Sequence, residues 1–355
     1  MIIDALDINI QKVSESRLKG IDFHNLPFGR VFSDHMFMMN YQNGKWEEAK
    51  IEGYRSLSIS PATSVLHYGQ SIFEGLKAHM SNEGEVLLFR PEENAKRLNQ
   101  SAFRMCMPEI PESLFMEGLT KLIDIDRNWV PQTEGSALYI RPFMMAIDEY
   151  VGIRPSENYS FIIFTCPVSS YYTEPLHVKI EEEYSRAAPG GTGFAKASGN
   201  YAASLYPAKL AQAEGYRQLI WTDSVEHKYI EESGTMNVCF VIGNRLITPK
   251  SSDTILSGIT KDSVTTIASE WGMVVEDRKV TVEEIVEALK DGTLKEAFGA
   301  GTAATIAQIE SITFRDRTFT LPGQEERHFS NRMYKYLDDL KRGKVKDPFG
   351  WTVKV

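Results

Sequence analysis

Gly190-Gly191-Thr192-Gly193-Phe194-Ala195-Lys196-Ala197-Ser198-Gly199-Asn200-Tyr201 opens with three glycines in four residues and places a single lysine just beyond them. A backbone so rich in glycine turns sharply or lies close against a neighbour. A lysine behind such a turn is crowded and short of water, and desolvation disfavours its ammonium form. A neutral lysine amine is a nucleophile toward carbonyls, and the use that matters most here is a Schiff base with pyridoxal phosphate. Asn200 and Tyr201 then open what reads as a helix. Taken alone, the stretch is also readable as a glycine loop with a solvated lysine. The segments on either side decide between the two.

The chain has 355 residues, enough for two domains. We expect a small N-terminal α/β domain over 1–170, a linker over 171–178, and a larger C-terminal domain over 179–355 that carries the lysine. With 42% hydrophobic and 25% charged residues, the composition is that of a soluble globular protein. A net charge of −9 argues against a nucleic-acid partner, which would favour a basic face. The first residues, Met1-Ile2-Ile3-Asp4-Ala5-Leu6-Asp7, lack a basic leader, so no signal peptide is expected. No apolar run is long enough to span a membrane. Cys106, Cys166 and Cys239 each lie in an apolar run, far apart. They read as buried free thiols in a reducing, cytoplasmic setting, with no metal site.

Before the lysine, Met36–Tyr41 reads as a strand, Asn43-Gly44 as a hairpin turn and Trp46 as the start of the return. Ser56-Leu57-Ser58-Ile59 alternates as a half-buried strand does. His67-Tyr68-Gly69-Gln70-Ser71-Ile72-Phe73-Glu74-Gly75-Leu76-Lys77 sets aromatics around glycines, as a pocket wall or as core packing. Arg90 sits between the strand Val86–Phe89 and a helix opened by Pro91, where an anion meets a guanidinium and helix N–H groups. Ala95, Leu98, Ala102 and Met105 form that helix's apolar stripe. A second helix is expected over about 113–127. In Leu138-Tyr139-Ile140-Arg141-Pro142-Phe143 the alternation puts Tyr139 and Arg141 on one strand face, so Arg141 is a candidate carboxylate ligand or an ordinary ion-pair partner. Tyr159–Val168 reads as a long apolar strand, followed by linker chemistry in Ser169–Pro175.

After the lysine, a helix is expected to run to about Glu214 and stop at Gly215, kinked at Pro207, with Leu205, Ala208 and Leu210 in its apolar stripe. Gln218–Trp221 and Val238–Ile242 read as strands. Between them, Glu232 precedes Ser233-Gly234-Thr235 and a buried strand, so this carboxylate is partly desolvated and needs a cationic partner. A protonated pyridine nitrogen would be one. Leu256-Ser257-Gly258-Ile259-Thr260 enters a helix to about Trp271, with Thr260 as the N-cap candidate and an anion site at the helix N-terminus. Thr281-Val282-Glu283-Glu284 reads as a capping box. Gly301-Thr302-Ala303 reads as a small-residue loop, either a phosphate contact or a close-packed turn. The last helix, about 325–341, turns Phe329, Met333, Tyr336 and Leu340 inward.

Together these segments resemble the branched-chain amino-acid aminotransferase family, of the fold-type IV pyridoxal-phosphate enzymes. The carrying segments are Phe-Gly-Arg-Val-Phe-Ser-Asp-His-Met at 28–36, His-Tyr-Gly-Gln-Ser-Ile-Phe-Glu-Gly at 67–75, Phe-Arg-Pro at 89–91 and Leu-Tyr-Ile-Arg-Pro at 138–142. They continue with the lysine stretch, Glu-Ser-Gly-Thr-Met-Asn at 232–237, Leu-Ser-Gly-Ile-Thr at 256–260 and Gly-Thr-Ala at 301–303. Some branches of the family carry a redox Cys-x-x-Cys after that last motif. Here Ala304-Thr305-Ile306-Ala307 follows, so no thiol switch is expected there.

The resemblance implies a small α+β domain and a larger, β-barrel-like α/β domain, in a homodimer. It implies that Lys196 is the Schiff-base lysine and proton shuttle, that Glu232 pairs with the pyridine nitrogen, and that Tyr201 bonds the phenolic oxygen. Arg90, the Ile259 N–H, Thr260 and Thr302 would hold the phosphate, with Leu256 a further cofactor contact. Tyr68, Tyr139, Arg141, Thr235 and Ala303 would position substrate carboxylates. Phe28, Phe73 and Tyr171 would wall the side-chain pocket, and Val151 and Ile153 would reach the partner subunit's pocket. The implied reaction moves the amino group of L-leucine, L-isoleucine or L-valine to 2-oxoglutarate, giving glutamate. D-amino-acid aminotransferase and aminodeoxychorismate lyase are the neighbouring readings within the fold; a non-catalytic phosphate-ligand module is the reading from another class.

Overall fold

The computed structural model describes residues 7–23, 26–169 and 176–355. Its contacts divide the chain into two compact units. The first comprises Met1–Tyr171, Ala195–Ser198 and Asp338–Val355; the second comprises Tyr172–Phe194 and Gly199–Leu337. The lysine's four-residue segment and the C-terminal tail thus group with the N-terminal residues. Of the expected linker, 171–175 lies outside the described residues.

The first unit is built on a nine-stranded sheet. Its central strands are long and apolar. Tyr159–Val168 pairs antiparallel with His35–Gln42 on one side and with Ala137–Ala146 on the other. The hairpin joining His35–Gln42 to Lys45–Gly53 turns at Asn43-Gly44, where both φ angles are positive (52° and 79°) as a primed turn requires. The helices Pro91–Arg104 and Glu112–Ile125 bury Leu98, Ala102, Phe115 and Leu119 with Phe37, Leu138, Ile140 and Phe161 in one core. Strand alternation then sends Tyr139 and Arg141 to the other face. Ser56-Leu57-Ser58-Ile59 forms no strand: the pairing of Lys45–Gly53 ends first, no strand among the described residues pairs with this serine-rich run, and Ile59 is exposed.

The second unit is a ten-stranded sheet that closes on itself. From Met236–Ile242 the ladder passes through Leu294–Gly301, Thr305–Phe314, Leu176–Ile180, Gln218–Thr222 and Tyr229–Ser233, which pairs back to Met236–Ile242. Closure leaves this ring without an edge. Val178, Ile220, Ile230, Val238, Phe240 and Ile309 join its buried core.

Several expectations change here. The helix after the lysine is two helices, Ser198–Ala203 and Leu205–Ala213, broken at Ser204. The proline lies in the first turn of the second, where its missing N–H does no harm. Leu205 and Leu210 are exposed, and Pro207 and Ala211 make the buried face instead. The helix expected from Thr260 begins one residue earlier, at Ile259, capped by Gly258 with no side-chain bond. Thr281 does accept the Glu284 N–H at 3.1 Å. Of the last helix, His328–Lys341, Met333 and Leu340 are fully buried, as is Leu337, whereas Phe329 and Tyr336 are half-buried and pack against Trp271. Cys166 and Cys239 are buried free thiols, but Cys106, at the end of an amphipathic helix, is exposed. No helix among the described residues is long and apolar enough to cross a membrane.

Candidate active site

The candidate site residues fall into two groups of side chains, one in each unit. In the first unit Lys196 is clamped by its backbone. Its N–H donates to Ser101 Oγ at 2.9 Å, and its carbonyl accepts the Phe73 N–H at 3.0 Å. Ala197 bridges Ile72, and Ala195 and Ala197 enter the core. Alternation therefore turns the lysine side chain alone away from the core. Its Nζ stands 4.9 Å from the centroid of the Phe73 ring. The same ring faces the Arg141 guanidinium at 4.7 Å, and Arg141 donates to the Tyr139 hydroxyl at 3.1 Å. Phe28 meets Tyr139 edge-on at 5.3 Å between centroids. A Cβ on Gly75 would fall 2.2 Å from the Tyr139 hydroxyl, so glycine lets this tyrosine lie down on the strand. The structure thus brings Phe28, Phe73, Tyr139, Arg141 and Lys196 together.

Behind Phe73 lies a residue that the sequence reading passed over. Glu74 is fully buried. It accepts two bonds from Arg97, at 2.7 and 2.9 Å, one from Asn94 at 2.7 Å and one from the Gly75 N–H at 3.1 Å. Burial would raise its carboxyl; Arg97, Lys196 and Asn94 overcome this and hold it below the usual carboxylate range.

The other residues expected of this unit lie elsewhere in it. Arg90 adopts φ 51° between strand and helix, its guanidinium 4.8 Å from the Trp351 ring. Tyr68 ends the short helix Val65–Tyr68 and is exposed. Val151 and Ile153 are 68% and 94% exposed. Tyr171 lies outside the described residues.

In the second unit Glu232 is the centre. One oxygen accepts the Leu256 N–H at 2.9 Å, and the other is 3.0 Å from Arg186 Nε. Asn237 donates to the Leu256 carbonyl at 2.9 Å. A Cβ on Gly258 would fall 1.8 Å from Asn237 Oδ1, so only glycine allows this close approach. The loop held in this way delivers Ile259 and buried Thr260 to the first turn of the helix Ile259–Glu270, where N–H groups and the helix dipole favour an anion. Thr302 and Ala303 form the turn between Leu294–Gly301 and Thr305–Phe314, Thr235 is exposed at the tip after Gly234, and Tyr201 lies on Ser198–Ala203.

Arg186 and Glu231 also went unseen in the sequence. Arg186 donates to the carbonyls of Gly193, at 3.3 Å, and Thr254. Glu231 accepts the Thr254 hydroxyl, and burial, with Glu232 and Asp223 adding to it against Thr254 and Arg186, pushes its carboxyl up to about 7. No local motif marks either residue, because Thr254, which touches both, and Glu232, which pairs with Arg186, are brought to them only by folding.

Residues 71–312 match the model of the class IV amino-transferase family. The chain is 45% identical over 338 residues to branched-chain-amino-acid aminotransferase 2 of Bacillus subtilis, covering 94% of this chain and 93% of that protein. It is 43% identical to branched-chain-amino-acid transaminase 1 of the same organism, over 94% of this chain and 95% of that one. Among solved structures, the Escherichia coli branched-chain amino acid aminotransferase superposes with a TM-score of 0.73 at 27% identity, covering 90% of this chain and 98% of that one.

Proposed function

Because the chain belongs to the class IV aminotransferases, and within them to the branched-chain aminotransferases, we propose that it transfers the amino group of L-leucine, L-isoleucine or L-valine to 2-oxoglutarate, with pyridoxal 5'-phosphate as its cofactor. The cofactor supplies the electron sink that makes the amino acid's Cα–H acidic. The residues present fit it: a lysine amine turned away from the core, a buried carboxylate of the kind that accepts from a ring nitrogen, and a helix N-terminus for a phosphate.

Lys196 holds the cofactor and moves the proton at the substrate Cα. Glu232 would accept a hydrogen bond from the cofactor's protonated pyridine nitrogen. Tyr201 would hold its phenolic oxygen. Arg90, the Ile259 N–H, Thr260 and Thr302 hold the phosphate, and Leu256 contributes a backbone contact. Phe28, Phe73 and Tyr171 favour an apolar side chain and exclude water. Tyr68, Tyr139, Thr235 and Ala303 orient the substrate carboxylate, and Arg141 pairs with the second carboxylate of glutamate. The exposure of Val151 and Ile153 supports a homodimer in which this loop reaches the partner's pocket. Free thiols at Cys106, Cys166 and Cys239 favour a cytoplasmic setting.

The observation that carries the reading is the clamping of Lys196 at both its N–H and its carbonyl, which fixes where the amine stands. The test is the visible spectrum of the purified, cofactor-loaded protein. A band that fades with L-leucine and returns with 2-oxoglutarate is expected. A band that responds to D-alanine and not to L-leucine would overturn the substrate class, and no band at all would overturn the cofactor.

A further inference from the structure

Glu231 and Glu232 are consecutive on one strand, and consecutive residues of a regular strand point to opposite faces. Here the strand is not regular. Ile220 pairs with Ser233 and Thr222 with Ile230, so two residues, Glu231 and Glu232, stand opposite the single residue Trp221. That is a β-bulge, a device that re-aims a side chain. Both carboxyls consequently reach one arginine by different routes. Glu232 lies directly on Arg186 Nε at 3.0 Å. Glu231 binds the hydroxyl of Thr254, whose carbonyl accepts from Arg186. The second oxygen of Glu231 is buried and has no hydrogen-bond partner among the described residues.

We propose that Glu231 is a positioning residue for Glu232: brought to the same side by the bulge, it competes through Thr254 for the charge of Arg186 and so sets how much negative charge Glu232 presents to the cofactor ring. This rests on the assignment of Glu232 to the pyridine nitrogen. When Glu231 is protonated, Arg186 answers to Glu232 alone. When it is ionised, the guanidinium is shared, and Glu232 grips a protonated ring nitrogen more strongly. A buried oxygen without a donor favours the protonated state, in keeping with a carboxyl pushed up by burial to about 7. The other charges facing this segment are Arg186, Glu232 and Asp223, with Lys228 and Lys279 over the ring of Tyr229.

The test is the affinity of the apoprotein for pyridoxal 5'-phosphate, read by quenching of tryptophan fluorescence between pH 6 and 8. Comparing wild type with Glu231→Gln at each pH cancels the cofactor's own titration. At pH 6 the two should bind alike; at pH 8 the wild type should bind about five-fold tighter. Thr254→Val removes the hydroxyl bond that favours the ionised Glu231, keeps Glu231 protonated, and should match Glu231→Gln; it serves if that variant fails to fold. A ratio that does not change between pH 6 and 8 in either folded variant overturns the proposal. Glu232→Gln is the control on the assignment beneath it. If Glu232→Gln binds the cofactor as wild type does at every pH, the assignment of Glu232 to the ring nitrogen falls instead, and the proposal falls with it.

Discussion

Glu74 in the first unit and Glu231 in the second are both buried carboxyls, and their surroundings treat them in opposite ways. Glu74 receives a two-bonded arginine, an amide and a backbone N–H, so it stays ionised below the usual range. Glu231 receives one hydroxyl, has no hydrogen-bond partner for its second oxygen among the described residues and is pushed up to about 7. The difference teaches where structure and chemistry are separated. In the first unit the fixed charge of Glu74 holds the frame, and Lys196, on the adjoining segment, is the amine proposed to carry the reaction. In the second unit the acid proposed to tune Glu232 is itself pushed up to about 7.

The largest effect should come from removing the proposed reacting group and leaving the frame. Lys196→Ala should lower transamination by about four orders of magnitude or more. Its melting temperature should stay close to wild type, because the lysine's backbone bonds to Ser101 and Phe73 do not need the side chain. Steady-state rates with L-leucine and a thermal melt check both halves. A variant that retains most of its activity would break the separation.

Glu74→Ala should do the reverse. It leaves the Arg97 guanidinium buried without its carboxylate, a loss of about 3–5 kcal/mol in urea unfolding. Because the folded carboxyl titrates below its ordinary value of 4.5, wild-type Glu74 contributes stability above that pH and loses it as the pH falls through the lowered value. The stability difference between wild type and Glu74→Ala should therefore shrink on acidification. A difference that is flat with pH would mean that the carboxylate is a space-filler.

The first unit also holds a cationic counterpart to Glu231. Burial, with Lys77 and Arg342 adding to it against Asp338, pushes Lys341 down to about 7. Burial and Arg342, against Asp338, push Lys77 down to about 8. His79, between them in charge, has both ring nitrogens buried without a hydrogen-bond partner among the described residues. A lysine that folds with a value below its ordinary 10.5 binds fewer protons folded than unfolded, so stability rises with pH between about 7 and 10.5. Lys341→Met should accordingly stabilise the protein by up to about 5 kcal/mol at pH 6 and by little above pH 10.5. Glu231 has the opposite sign: its folded value is raised, so it lowers stability as the pH rises from 4.5 to about 7. Urea midpoints of wild type, Lys341→Met and Glu231→Gln across pH 5–10 would separate the two slopes; equal shifts at all pH values would remove both.

What the sequence made legible follows from how local each signal is. The glycine turn before Lys196, the glycines at 234 and 258, the alternation of Tyr139 and Arg141, and the hairpin at Asn43-Gly44 are all properties of a few consecutive residues, and the structure has each of these backbone features. Glu74 lies inside a legible segment, but its meaning depends on Arg97, set by helix packing well beyond the strand. Glu231 was invisible for a related reason: a bulge exists only once Gln218–Thr222 is paired with Tyr229–Ser233. Ser56–Ile59 misled because alternation predicts a face for a strand but supplies no partner. Leu205 and Leu210 misled because a break at Ser204 rotates everything after it, and apolar residues then face solvent.

The smallest effect sharpens the comparison most. Thr281 pairs with Tyr229 at the edge of the bulged strand and caps the helix Val282–Lys290 by accepting the Glu284 N–H. The capping box is only half used, since Glu284 bonds Arg278 at 2.9 Å through one oxygen and reaches its second nitrogen with the other. Thr281→Ala should lower stability by about 1 kcal/mol through the lost cap. It loosens the neighbourhood of Glu231 while leaving Thr254 and Arg186 in place. Its cofactor affinity should therefore keep the wild-type rise between pH 6 and 8. If Thr281→Ala flattened that rise as Glu231→Gln is expected to, the pH dependence would belong to the rigidity of the strand, and the distinction between a fixed acid in one unit and a titrating acid in the other would lose its chemical basis.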